Sequence, residues 1–497
     1  MKLLKKNKIT SILIFLMLII SSCSNDFLDV PPEAQKEASS FWQTESDVEQ
    51  AVNSMYGQLR WAVICGFRDL AVEMAGSDNV AANNAGQGWP DLNAYFNFQV
   101  AGTGFIGNEF WLGNYNEINL CNQVLDNIDA VTSLNSSKRE QYKAEAKFLR
   151  ALAHFRLVRA YGNIPLVLNV PSNPEESNPT QVHPNEVYAS IEQDLKEAAD
   201  ILPNTSSAAV KGRATRGACL SLLARVALYQ SNWTDVLSYT DEVIASGIYS
   251  LSDYTTMFHL QGELGSESIF EIQSDYVPSD EQNGIGFSSQ WATVQIDWMN
   301  FTPSDDLINA YEPGDIRKNA TILFPENTYS QTYNGVTYSN GPSDWPAQLS
   351  TGLNFNLKAW VPRILAERSS QGSGSEQNVR VIRYADVLLM NAEANNELGN
   401  TNVAITNLNV VRERAGLSQT TAVNQSDLRE AILRERRVEF ALEGLGDTRY
   451  FDLIRSGEAS SVLGPRGWVP NKNEIWPIPF EQINLSNGVL KQNPGYN

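Results

Sequence analysis

Residues 392–404 read A-E-A-N-N-E-L-G-N-T-N-V-A: the end of one helix, a small polar turn at Gly399-Asn400, and the start of a second helix. Residues 224–236, A-R-V-A-L-Y-Q-S-N-W-T-D-V, repeat that arrangement around Ser231-Asn232. Ala224, Ala227, Ala392 and Ala394 are small enough to let paired helices approach closely, and turns this short make sequential helices antiparallel neighbours. Working outward, apolar residues at i, i+3, i+4 and i+7 place helices at roughly 111–128, 142–161, 186–202, 215–229, 235–246, 384–398, 402–415 and 427–442. In 142–161, Phe148, Leu152 and Phe155 share a face; Gly162 suits the position after the last turn, and Pro165 prevents continuation. An earlier helix is expected near Thr44, where Thr44 and Asp47 have the spacing of a capping box. The expected fold class is mainly α, helix-turn-helix pairs with long irregular loops and little β structure. The two quoted stretches resemble tetratricopeptide hairpins, although periodicity alone fits ordinary antiparallel hairpins equally well.

The N-terminus is of a different kind. Lys2, Lys5, Lys6 and Lys8 precede an uncharged, mostly apolar run from Ile9 to Ile20. Small Ser21 and Ser22 then lead to Cys23. This is a secretory signal whose apolar run is shorter than the ~20 residues of a membrane-spanning helix. The run Ile20-Ser21-Ser22-Cys23 resembles a bacterial lipobox, in which cleavage leaves Cys23 as a lipidated terminus. The expected organisation is a signal peptide at 1–22, a lipid-anchored tether at 23–40 and a single domain at 41–497. Pro31-Pro32 keeps the tether extended.

The chain carries a formal net charge of −20, and loss of the four signal lysines brings it to −24. Such a surface repels phosphate backbones, so nucleic-acid binding is disfavoured. Cys65, Cys121 and Cys219 form neither a disulfide framework nor a metal-type C-x-x-C spacing. With His154, His183 and His259 far apart, neither a zinc site nor a Ser-His-Asp triad is supported, and no cofactor is expected.

Residues 61–110 and 250–380 break the helical rhythm, and loops this long are usually functional. Both are rich in aromatics beside Gly, Ser and Asn, the material for sugar binding: the apolar face of a pyranose stacks on a ring while amides and carboxylates take its hydroxyls. The candidate ligand-binding residues are Asp78, Trp89 and Tyr95 in the first region and Trp291, Trp298 and Trp345 in the second. Trp111, Trp233 and Trp476 adjoin helical or terminal motifs and are assigned to the core. A glycosidase would need a pair of carboxylates. Asp305-Asp306 instead open a probable helix, and Glu439 and Glu443 sit beside Arg436 and Arg437 as in a structural ion-pair network. No catalytic constellation emerges.

Several ordered motifs resemble the SusD/RagB family of outer-membrane nutrient-binding lipoproteins. They are R-Y-A-D-V-L-L-M followed by A-E-A at 383–394, N-V-V-R-E-R-A-G-L at 409–417, R-E-R-R-V-E-F-A-L-E-G at 434–444, R-Y-F-D-L-I-R at 449–455, W-P-I-P at 476–479 and L-K-Q-N-P-G-Y at 490–496. Residues 145–165 resemble the family's N-terminal signature. The resemblance implies tetratricopeptide-like helix pairs on which the irregular regions are mounted, and no enzymatic activity. It also implies a lipid anchor in the outer membrane of a Gram-negative bacterium, facing the exterior, and a TonB-dependent (SusC-like) transporter as partner. The ligand would be a glycan or oligosaccharide; peptide capture within the same family, and more remotely a surface glycosidase, are the alternatives.

Overall fold

A computed structural model describes residues 41–60, 64–81, 90–173, 176–205, 211–274, 300–344, 352–362, 377–446 and 448–496. The signal peptide, Cys23, the tether, Trp89, Trp291, Trp298 and Trp345 lie outside the described residues.

Helix α1 (Glu45–Gln58) starts at the expected capping box: Asp47 N–H donates to Thr44 Oγ1 and Thr44 N–H donates to Asp47 Oδ2. Short helices α2 (Phe67–Glu73) and α3 (Pro90–Phe96) follow. The long helices come next: α4 (Phe105–Asn127), α5 (Ser136–Tyr161), α6 (Pro184–Ile201), α7 (Arg216–Tyr229) and α8 (Trp233–Ala245). After the short α9 (Asp305–Ala310) come α10 (Tyr384–Glu397), α11 (Thr401–Arg414) and α12 (Gln425–Phe440), then α13 (Arg449–Arg455) and α14 (Phe480–Leu485). Each long helix from α4 to α8 packs on the next, α8 packs on α10, and α10 packs on α11 and α12. The array therefore runs through the two hairpins that opened the sequence, α7/α8 and α10/α11. Ala224, Ala227, Ala392 and Ala394 are all buried where those helices meet.

The ends of these helices show what sequence could see. Helix α5 is capped by Asn135, whose side chain accepts from Ser137 N–H, and it stops at Gly162 with φ 71°, a conformation that glycine adopts without a Cβ penalty. Helix α4 starts six residues earlier than Trp111, at Phe105. Its first turn is satisfied from a distance, by Asp91 Oδ2 accepting from Ile106 N–H at 2.8 Å.

Sheet structure is confined, among the described residues, to two-stranded ribbons. In one of them Ser268–Ile272 pairs antiparallel with Val379–Arg383, the strand that feeds directly into α10.

At that junction lies a buried ionic network. Arg383, about 1% exposed, donates to Glu267, Glu439 and Glu443. Glu439 also receives Arg317 and Arg414, and Glu443 receives Lys358. One turn along α10, Asp386 binds Arg225 of α7 and Arg436 of α12, and Arg436 continues to Asp452 of α13. The expected pairing of Glu439 and Glu443 with Arg436 and Arg437 is thus corrected: the acids are structural, but their cations come from other elements. The reason is burial. Helix α12 is enclosed, so its charged side chains meet neighbouring elements rather than one another.

Removing one member of a buried pair strands the other, a cost of about 3–5 kcal/mol. Burial by itself would raise the Asp386 pKa, but Arg225 and Arg436 outweigh it and hold the group below its ordinary 3.8. A carboxylate with a lowered folded-state pKa stabilises the fold above its unfolded pKa and loses that contribution as the pH falls further. Asp386→Ala is therefore expected to cost about 3–5 kcal/mol in urea unfolding at pH 7, with the penalty shrinking once the pH drops below that value.

Candidate functional site

The described residues that bracket the candidate tryptophans come together. Val80–Ala81 pairs antiparallel with Thr302–Pro303, Val80 opposite Pro303 and Ala81 opposite Thr302. Trp89 follows the first of these strands in sequence; Trp291 and Trp298 precede the second. Phe355–Asn356, which follows Trp345 in sequence, packs beside Thr302–Pro303. Three stretches separated by up to about half the chain thus attach to the scaffold at one place.

This attachment is held by charge and by rings. Ser304 Oγ donates to Asp78 O at 2.6 Å and its N–H to Asn79 O at 2.9 Å. The Asp78 carboxylate takes two hydrogen bonds from Arg449, at 2.7 and 2.9 Å, and lies 3.1 Å from Arg437. Burial alone would raise the Asp78 pKa, but these two guanidiniums hold it below the usual range. Arg466 donates to the carbonyls of Ala75, Ser77 and Phe96, pinning the turn before Asp78 to the end of α3. Phe301 packs its ring against Phe67 of α2 and Phe96 of α3.

Two sequence assignments change here. Asp78 is an anchor, with its carboxylate occupied by Arg449 and Arg437. Tyr95 is about 1% exposed, edge-on to Trp476 with ring centroids 4.9 Å apart. Burial raises its hydroxyl well above the ordinary tyrosine pKa. The Gly- and Asn-rich surroundings of Tyr95 suggested an open loop, but Tyr95 lies in α3, whose inner face packs against the C-terminal segment. Trp111 and Trp476 are buried and Trp233 partly so, as expected of core residues.

The carboxylates weighed for a glycosidase lie as follows. Glu439 and Glu443 are 0% and 1% exposed and surrounded by cations. Asp305 and Asp306 form the first turn of α9 behind the Ser304 cap, with Asp306 on Arg437. Cys65, Cys121 and Cys219 are buried free thiols. His154 is buried with Nδ1 against Arg150 O, and burial lowers its pKa to about 3. Among the described residues no group of three or more His, Cys, Asp or Glu is placed to hold a metal ion.

Sequence reasoning missed Arg437, Arg449, Arg466 and Phe301, the residues that build the platform. Arg449 and Asp78 stand 371 positions apart, and nothing local to either names the other.

A helix-hairpin array that brings three distant stretches together on a braced platform is a scaffold architecture. The model described as the SusD family matches residues 266–469, and one described as "Starch-binding associating with outer membrane" matches residues 26–228. A SusD-like protein of Formosa agariphila is 27% identical, over 98% of this chain and all of the relative. A solved laminarin-binding SusD-like protein is 28% identical with a TM-score of 0.76, covering 91% of this chain and 100% of that one. Surface glycan-binding protein A from Bacteroides thetaiotaomicron, solved in complex with laminarihexaose, is 25% identical with a TM-score of 0.75 over the same shares. The chain belongs to the SusD/RagB family.

Asp78→Ala is expected to lower the unfolding free energy by about 1.5–3 kcal/mol, the scale of hydrogen bonds to a charged group, in urea titrations with no ligand present. A residue that only touched ligand would leave that stability unchanged.

Proposed function

We propose that the protein is a non-catalytic outer-membrane lipoprotein, facing the cell exterior, that binds a neutral oligosaccharide and hands it to a TonB-dependent transporter. The observation that carries this reading is the meeting of Val80–Ala81, Thr302–Pro303 and Phe355–Asn356, the described stretches that flank Trp89, Trp291/Trp298 and Trp345 in sequence. Those four tryptophans are assigned as the stacking surface, a chemistry that suits pyranose faces. The laminarin-binding relatives support a glycan, and the acidic chain disfavours polyanionic ones. Cys23 carries the lipid, and residues 23–40 tether the body to the membrane while it opens and closes over its partner.

Calorimetric titration with laminarihexaose and a panel of neutral oligosaccharides is expected to show binding without release of shorter products. Trp291→Ala or Trp298→Ala should weaken it about tenfold, near the upper worth of one aromatic contact. Release of shorter sugars would make the protein a glycosidase instead, and binding of peptides in place of every sugar tested would make it a peptide-capturing member. Cys23→Ala is expected to move the protein out of the membrane fraction and abolish uptake; normal membrane retention would remove the anchor from the reading.

A further inference from the structure

A cavity lies apart from the platform. It has a volume of about 630 Å3, within the ~300–1,000 Å3 of small-molecule sites. It opens between α4, the loop before Gln181 and the C-terminal helix α14, and none of its lining residues falls in 61–110 or 250–380. Trp111 and Tyr115 form its aromatic wall, tilted at 43° with centroids 4.9 Å apart. Asn178, Gln482 and Asn487 supply its amides, and Leu485 lies at its edge, 69% exposed.

The wall and rim are fixed in place. Tyr115 Oη donates to Pro165 O at 2.8 Å, and Trp111 packs edge-on to Tyr161 at 5.1 Å. Asn178 Nδ2 donates to Ser486 O at 2.9 Å, joining the loop to the end of α14 across 308 positions. Gln482 Nε2 donates to Asn108 Oδ1 at 2.8 Å. Against this order stand polar groups with hydrogen-bonding capacity to spare. Asn487 sits in the left-handed region at φ 53°, and its side chain has no partner among the described residues. The indole N–H of Trp111, a residue about 97% buried, has no acceptor among them either. Among the described residues no Lys, Arg or His lines the cavity, and Glu176 is its one charged side chain.

We infer that this cavity is a second carbohydrate subsite, binding a neutral oligosaccharide away from the loop platform. Ring hydroxyls both donate and accept, matching the Asn178 and Gln482 carbonyl oxygens, the Asn487 amide and the Trp111 N–H. The C–H face of a sugar covers the accessible edge of Tyr115 and Leu485. The Glu176 carboxylate at the lining disfavours phosphate, sulfate or uronate groups. A long glycan would then be held at two points, one at the platform and one here. This rests on the glycan-binding reading for its ligand class but on none of the residues that reading invokes.

The test is calorimetric titration of laminarihexaose and the neutral panel into the mature protein. The variants are Gln482→Ala/Asn487→Gly, Trp298→Ala and the two combined, each checked for an unchanged melting curve. Glycine keeps the left-handed turn at 487, so side-chain loss is read without backbone strain. Gln482→Ala/Asn487→Gly is expected to weaken one class of sites about fivefold per lost hydrogen bond, in the wild-type and the Trp298→Ala background alike. If Trp298→Ala changes nothing while the rim pair does, the loop reading fails and the subsite stands. If the rim pair changes nothing in either background, or if a proline-rich peptide binds there and no sugar does, the subsite proposal is overturned.

Discussion

The buried guanidinium of Arg383 is the interaction on which the rest of the structure depends. It lies at the point where a strand becomes α10, and it faces Glu267, Glu439 and Glu443 at once. With Asp386 one turn later bridging Arg225 and Arg436, this short stretch ties α7, α10, α12 and α13 together. The charges are nearly dry, so each is tolerable only while its partners are in place. Lys358, fully buried beside Glu443, shows the strain of that condition: burial pulls its pKa down to about 8. Buried charge of this kind stabilises little compared with a well-packed apolar core. It does penalise any arrangement that separates the pairs.

That selectivity suits a protein whose candidate tryptophans lie in long sequence segments between scaffold elements. A loop loses ligand-binding geometry if its ends can drift, and the ends here are fixed by directional contacts. Arg449 and Arg437 hold Asp78, Arg466 gathers the carbonyls before it, and Phe301 is wedged between α2 and α3. Arg436 and Arg437 are adjacent on α12, one reaching into the ionic core and the other to the platform. The scaffold and the platform thus share a single helix as their brace.

Much of the fold was legible because its causes are local. Helical periodicity, the Thr44–Asp47 box and Gly162 act within a few residues, and the helices appear where those signals placed them. Legibility failed where the cause lay elsewhere. Helix α4 extends to Phe105 because a carboxylate on α3 satisfies its first turn. Glu439 and Glu443 were recognisably structural from their neighbours, yet their partners came from other strands and helices. Tyr95 was misplaced because composition measures the surroundings in sequence, while burial depends on what packs from across the chain.

The sequence by itself determined the helix-hairpin architecture, the family, and the core character of Trp111 and Trp476. Each of these follows from short-range patterning or from ordered motifs. Only the tertiary structure decided that Asp78 anchors, that Tyr95 packs, and that three distant stretches meet at one ribbon. It also brought α4 and α14 together around a cavity that no local pattern announces. Those outcomes depend on pairings across hundreds of residues, where specificity resides in the geometry of both partners and neither carries it alone.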